Sequence, residues 1–355
     1  MKKYNFSSGP AVLPQSLFEQ AAKATLDYQD SGLSILEISH RSDAFVEILE
    51  GSQRLVIELL DLDDDFEVLF LSGGASMQFC QVPFNLLPSN GLAAYLDTGT
   101  WSENAIKEAK LFGNIEVVAS SKSSTFNHIP KSYTIPNQAD YFHITTNNTI
   151  YGTQIHEIPK SEVPIVADMS SDIFSKQIDM NQFGLVYAGA QKNLGPAGTT
   201  LIIVRKSLLG KTNRAIPSML DYQVHIAKNS SFNTPPVFPI YCCYLGLQWI
   251  KEKGIAQIEK DNRLKARLMY DEIDRNSLFE GHSVVEDRSM MNATFVLKNA
   301  ELESSFLDMA TQANCLTIQG HRSVGGFRAS IYNTMPIEGV QTLVSVMQEM
   351  ERKFG

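Results

Sequence analysis

The chain has 355 residues, 43% of them hydrophobic and 19% charged, an ordinary globular balance in a length that suits a large domain plus a smaller one rather than one simple core. A formal net charge of -9 and a pI near 5.3 argue against nucleic acid or an anionic membrane as the main partner, though not against a small anion held in a local cationic pocket. Cys80, Cys242, Cys243 and Cys315 fall in no CxxC or other metal-type spacing, so no metal site is expected and reduced thiols in a cytoplasmic setting are favoured. The two lysines after Met1 lead into no apolar stretch and no run approaches the ~20 apolar residues of a membrane span, so neither a signal peptide nor a transmembrane helix is expected.

After Pro14, the residues Leu17, Ala21, Ala24 and Tyr28 recur at helical spacing, and Phe45, Ile48, Leu49, Val56 and Leu59 repeat the pattern over 43–60. The short apolar run 67–71 (EVLFL) predicts a buried strand. Further strands are expected at 92–96, 115–119, 141–145, 164–167, 185–188 and 200–204, several of them separated by helical stretches. This alternation predicts a mainly parallel sheet covered by helices on both faces, with ligands at the carboxyl ends of the strands. From about residue 258 a long charged helix, strands at 293–297 and 326–331, and a closing amphipathic helix through Val340, Leu343, Val344, Met347 and Met350 predict a smaller α+β domain. The expected division is residues 16–257 against 258–355, the latter joined by the N-terminal segment 1–15.

Four places carry chemistry. Ser72-Gly73-Gly74-Ala75-Ser76 follows the first central strand. Glycines there permit either an ordinary tight turn or a phosphate cradle at a helix N-terminus. Asp168 ends an apolar strand, where it is a helix cap, a turn residue or a partner for a protonated heterocyclic nitrogen. Tyr187-Ala188-Gly189-Ala190-Gln191-Lys192-Asn193 runs a strand into small residues and presents one lysine. Lysines are normally exposed among polar neighbours; this one has room for a bulky ligand beside it, and partial desolvation would make its amine a nucleophile for Schiff-base chemistry. Trp101, just past the strand at 92–96, is a core residue or an aromatic plate. A lysine for an aldehyde, a carboxylate for a ring nitrogen, a phosphate pocket and a plate are together the requirements of pyridoxal 5'-phosphate (PLP).

The ordered set Asn5–Ala11 (NFSSGPA), Ser39-His40-Arg41, Ala188–Asn193 (AGAQKN), Phe232–Pro236 (FNTPP) and Gly320–Asn333 (GHRSVGGFRASIYN) resembles the class V aminotransferases of PLP fold type I, nearly end to end, and among them the branch that makes phosphoserine. The resemblance implies a PLP-dependent transferase fold and reversible amino transfer between L-glutamate and 3-phosphohydroxypyruvate, giving O-phospho-L-serine and 2-oxoglutarate. That reaction belongs to serine biosynthesis; a 4-phosphohydroxythreonine substrate in pyridoxine biosynthesis is implied as well. By the same resemblance Lys192 bonds the cofactor aldehyde and moves the Cα proton, Asp168 pairs with the ring nitrogen, and Trp101 stacks on the ring. Thr149 meets the phenolic oxygen, and Ala75, Ser76 and Gln191 hold the cofactor phosphate, with Asn233 and Thr234 reaching it from the partner of a homodimer. Arg328 clamps the substrate α-carboxylate, Ser8 sits on the substrate side, and Arg41, His321 and Arg322 take the substrate phosphate or the side-chain carboxylate of glutamate, the last two acting on the neighbouring subunit's site. Some relatives carry an arginine where this chain has Ser76, which removes one cation near a phosphate.

Other readings stay open on the residues. Another class V transferase would share Lys192 and Asp168 without needing Arg41, His321 and Arg322. A cysteine desulfurase would need a reactive cysteine on a mobile loop and typically stacks a histidine in place of Trp101. A doubly wound nucleotide-binding or interaction module is a third reading, although the glycine turn is not GxGxxG.

Overall fold

Buried apolar strands, each feeding a helix, dictate most of the chain's path. The computed structural model describes residues 3–322 and 324–355; Met1, Lys2 and Ser323 of the GHRSVGG run lie outside the described residues. In chain order the elements are β1 (Tyr4–Asn5), α1 (Gln15–Leu26), α2 (Asp43–Leu60), β2 (Phe66–Leu71), α3 (Gly74–Leu86), β3 (Leu92–Asp97), α4 (Thr100–Ala109) and β4 (Asn114–Ser120). There follow β5 (Tyr141–Thr145), β6 (Asn147–Asn148), β7 (Thr153–Gln154), β8 (Ile165–Asp168), β9 (Phe183–Gly189), β10 (Thr200–Arg205), α5 (Tyr222–Ala227), α6 (Val237–Lys253) and α7 (Ile255–Arg275). The chain closes with β11 (Phe279–Gly281), β12 (Asn292–Leu297), α8 (Glu303–Gln312), β13 (Cys315–Leu316), β14 (Phe327–Ser330) and α9 (Ile337–Phe354).

The central sheet has the order β2-β10-β9-β8-β5-β3-β4. β10 runs antiparallel to both its neighbours, and the other pairings are parallel. It follows that β2, β3, β5, β8 and β9 all point the same way, so the turns after residues 71, 97, 145, 168 and 189 gather along one edge. Every residue of β9 is buried, as expected for a strand covered on both faces. Each strand run predicted from the sequence forms a strand, and no end moves by more than two residues.

A second core is built on the antiparallel sheet β11-β12-β14, packed by α7, α8 and α9. The amphipathic spacing of the closing helix is explained here: Val340, Leu343, Met347 and Met350 are all completely buried in this core, each such side chain contributing roughly 1.5–3 kcal/mol. Phe6 joins the same core, and β1 pairs in parallel with β13, which ties the N-terminal segment to this layer.

Helix α6 has no counterpart in the periodicity reading. It buries Ile240, Tyr241, Cys242, Cys243, Leu245, Gly246, Leu247 and Ile250, so it is apolar nearly all round and shows no 3.6-residue stripe. Its backbone meets the turn after β9: a Cβ at Gly246 would collide with the carbonyl oxygen of Leu194, and one at Gly195 would lie 2.8 Å from Cys243 Sγ. The four cysteines form no disulfide. Among the described residues no helix is long and apolar enough to cross a membrane, and no group of three or more His, Cys, Asp or Glu side chains is arranged to hold a metal.

Candidate active site

At the gathered strand ends lies a cavity of about 280 Å³. It brings together Ser8, Ala75, Ser76, Trp101, Thr149, Asp168, Gln191, Lys192, His321 and Arg328, residues drawn from both layers. Arg41, Asn233, Thr234 and Arg322 do not line it. Arg41, Thr234 and Arg322 are exposed, and Asn233 is half-buried. Arg322 instead lines an adjoining hollow of about 550 Å³ with Ser7, Ser8, His321 and Arg328. The resemblance assigned His321 to a neighbouring subunit's site; in the structure it borders the cavity of its own chain.

Lys192 stands on a tight turn in which the N–H groups of Leu194 and Gly195 both donate to the Ala190 carbonyl. A Cβ on Gly189 would lie 2.6 Å from Gln191 Oε1, so the glycine leaves room for that side chain beside the lysine. The lysine is only 8% exposed, and its Nζ donates to Thr149 Oγ1 at 2.9 Å. Burial pulls its pKa down to about 8, with Asp168 resisting and Arg328 adding to the fall; near neutral pH a useful fraction of the amine is therefore unprotonated. The N-terminal segment straps the lysine in place. Ala11 N–H donates to the Gln191 carbonyl at 2.9 Å, and a Cβ on Gly9, whose φ is +140°, would touch the stems of both Gln191 and Lys192 at 3.4 Å.

Asp168 is the last residue of β8 and is buried. Desolvation raises its pKa, and hydrogen bonds from Ser170 together with the Lys192 charge and Tyr187 pull it back; the Ser170 N–H donates to Oδ1 at 2.9 Å. Beside it, Thr145 is its cross-strand partner, and the Thr145 hydroxyl is buried with no hydrogen-bond partner. Trp101 opens α4, where the Ser102 hydroxyl accepts from the N–H groups of Thr98 and Gly99 at 2.9 Å each and so fixes the turn. The indole Nε1 is also buried without a partner.

Helix α3 starts at Gly74 behind Gly73, whose φ of +104° suits a glycine, and no side chain caps it. The N–H groups of its first turn, including Ala75 and Ser76, have no partner within the helix and carry the positive end of its dipole. An uncapped helix start facing a cavity is a ready anion site.

Arg328 comes from β14, across the cavity. Its Nη2 donates to Ser8 Oγ at 2.8 Å, while Nε is buried without a partner. Burial lowers its pKa, yet a guanidinium stays charged in proteins, so a cation with unused donors faces the cavity. Tyr332 donates through its hydroxyl to the Ser8 carbonyl at 2.9 Å, which sets the strap against the same layer.

The residues therefore fit PLP on this structure's own observations. A buried, partly neutral amine is available for an aldehyde, a buried carboxylate for a ring nitrogen, an uncapped helix N-terminus beside Gln191 for a phosphate, and Trp101 for the ring face. The orphaned polar atoms of Thr145, Trp101 and Arg328 are the unsatisfied groups that a polar guest would relieve. The sequence reading passed over Thr145, Ser170, Tyr187 and Asn147 as site residues. Tyr187 opens the run that presents Lys192 but was no candidate itself, Thr145 reads as a plain strand residue, and only the sheet register places the two beside Asp168.

Comparison with known proteins agrees with this geometry. The model of the family "Aminotransferase class-V" matches residues 3–343. A phosphoserine aminotransferase of Flavobacterium psychrophilum is 58% identical over 356 residues, covering 100% of both chains. The solved phosphoserine aminotransferase from Bacillus circulans subsp. alkalophilus is 44% identical, with a TM-score of 0.97 over 100% of this chain and 99% of that one. A PLP-bound phosphoserine aminotransferase from Trichomonas vaginalis is 36% identical, with a TM-score of 0.94 over 98% of this chain and 100% of that one.

Proposed function

This chain belongs to the class-V aminotransferase family, and from that premise we propose that it moves an amino group between L-glutamate and 3-phosphohydroxypyruvate, giving O-phospho-L-serine and 2-oxoglutarate, with PLP as its cofactor. The observation that carries this reading is one cavity holding the buried Lys192 amine, the buried Asp168 carboxylate and the anion-seeking Arg328 together.

Bound there, PLP supplies an electron-withdrawing ring that acidifies the substrate Cα–H and a carbon that carries the amino group between the two substrates. The protein does the rest with its own groups. Lys192, unprotonated in a useful fraction, takes the proton from the substrate Cα and gives it back on the far side of the transfer. Asp168 keeps a negative charge against the ring nitrogen and so holds a proton there. The first turn of α3 and Gln191 bind the cofactor phosphate, and Trp101 and Thr149 fix the ring's plane and its phenolic oxygen. Arg328 binds the α-carboxylate common to both substrates, because a planar fork suits a carboxylate bidentately. Arg41, His321 and Arg322 receive the phosphate of one substrate and the side-chain carboxylate of the other.

A second copy of the chain completes the site. Asn233 and Thr234, which lie outside their own chain's cavity, reach the cofactor phosphate of the partner; the 40% exposure of the neighbouring Phe232 supports an interface there. A longer phosphorylated 2-oxo acid, the 4-phosphohydroxythreonine precursor, would use the same phosphate and carboxylate contacts.

A coupled assay tests the function. With glutamate as donor, turnover is expected with phosphohydroxypyruvate and a kcat/KM lower by at least about 100-fold with plain hydroxypyruvate, the order lost when charge-assisted contacts to a phosphate go unmade. Equal rates with the two acceptors would contradict the phosphorylated substrate.

A further inference from the structure

Next to Asp168, and not among the residues that line the cavity, lies a buried polar pair that the chemistry above does not use. Asp168 and Tyr187 are directly paired across β8 and β9, and the Tyr187 hydroxyl is among the groups that favour the charged form of the Asp168 carboxylate. The same hydroxyl lies 2.9 Å from His143 Nε2 on β5. Both side chains are all but completely buried. His143 Nδ1 is buried with no partner. The ring of Tyr95 stacks on the imidazole at 4.8 Å, but its hydroxyl is engaged with that of Tyr141.

The proton count fixes the direction of these bonds. Burial keeps His143 neutral, its pKa pulled down to about 3, so the ring carries one N–H. On Nδ1 that N–H would be a buried donor with no acceptor, which folded proteins avoid. On Nε2 it meets the Tyr187 oxygen. Tyr187 then accepts from His143, and its own proton is free for the carboxylate.

We propose that Tyr187 and His143 are positioning residues for Asp168: a one-way chain of donors, His143 Nε2–H to Tyr187 Oη–H to the carboxylate, holds Asp168 oriented and anionic for the cofactor's ring nitrogen. This rests on the role given to Asp168 above. A hydrogen bond to the charged form favours that form, and a neutral donor chain does so without adding a second cation beside Lys192. The other charged groups facing Asp168 are Lys192, from the turn after β9, and Asp172, from the turn after β8.

Three variants and one spectrum test it. Tyr187→Phe is expected to weaken PLP binding to the cofactor-free protein about tenfold, the share of one hydrogen bond to a charged group. It also strands the His143 N–H, so its melting temperature falls. In Tyr187→Phe/His143→Leu the stranded donor is gone; melting temperature recovers relative to Tyr187→Phe, while the affinity stays about tenfold down. His143→Leu alone leaves the Tyr187 hydroxyl on Asp168 and loses less affinity than Tyr187→Phe. Nitrogen-15 NMR of the histidine-labelled, cofactor-free protein, with the signal assigned by its loss in His143→Leu, is expected to show a neutral ring protonated on Nε2. Wild-type affinity in Tyr187→Phe, affinity that recovers together with stability in the double variant, or a proton on Nδ1 would each overturn the proposal. The tautomer measurement needs no cofactor, so it decides the chain of donors even if the wild-type protein took up no PLP, a result that would sink the cofactor reading instead.

Discussion

Replacing Lys192 with alanine is expected to lower turnover with glutamate and phosphohydroxypyruvate by roughly 10⁴-fold or more, the scale reached when a positioned acid–base group is removed, while the protein still folds. Lys192 is the one lysine lining the cavity among the described residues, and Thr149 is its polar partner. No neighbour can take over its proton transfers. Folding is spared because the change removes a cation whose burial already works against its charged form, and Asp168, which loses that neighbouring charge, keeps the hydrogen bond from the Ser170 N–H. Steady-state rates beside a thermal melt check both halves. Activity within tenfold of wild type in a folded variant would refute the role of this amine.

Arg328→Ala is expected to lower kcat/KM for both substrates by roughly 30- to 1,000-fold, the range for losing a charge-assisted contact of about 2–4 kcal/mol. The guanidinium is held by Ser8 on one side and keeps a buried, unpartnered Nε, so its remaining donors are directed, not swept through solvent. Because glutamate and phosphohydroxypyruvate share an α-carboxylate, both KM values rise. A change confined to one substrate would instead place Arg328 at the phosphate or side-chain end. Arg328→Lys recovers only part of the loss, since a point charge does not reproduce the fork.

The split between what could and could not be read from the sequence follows the range of the interactions. Strand runs such as EVLFL and the run ending at Asp168 are local apolar patterns, and they form strands within a residue or two of their expected ends. Lys192 was legible because its flanking small residues are adjacent in the chain. Helix α6 was not, because a helix buried on nearly every side has no polar face to set a period. The strap from Gly9 to Ala11 over the lysine, and the Ser8–Arg328 contact between residues 320 apart, exist only once the two layers meet. His143 looks like an ordinary strand residue, and Tyr187 only the start of the lysine's run, until the order β9-β8-β5 brings them together next to Asp168. Arg41, Asn233 and Thr234 carry family motifs yet stand off their own chain's cavity, which no local pattern in the sequence reveals.

The most direct measurement is chemical trapping. Cofactor-free protein is mixed with PLP, the bond between amine and aldehyde is fixed with borohydride, and the modified peptide is located by mass spectrometry. The account predicts modification at Lys192 and at no other lysine, with a rate that rises with pH and levels off above about 8, where this buried amine has lost its proton. Label scattered over several lysines, or a rate still climbing toward the 10.5 of an ordinary lysine, would contradict it.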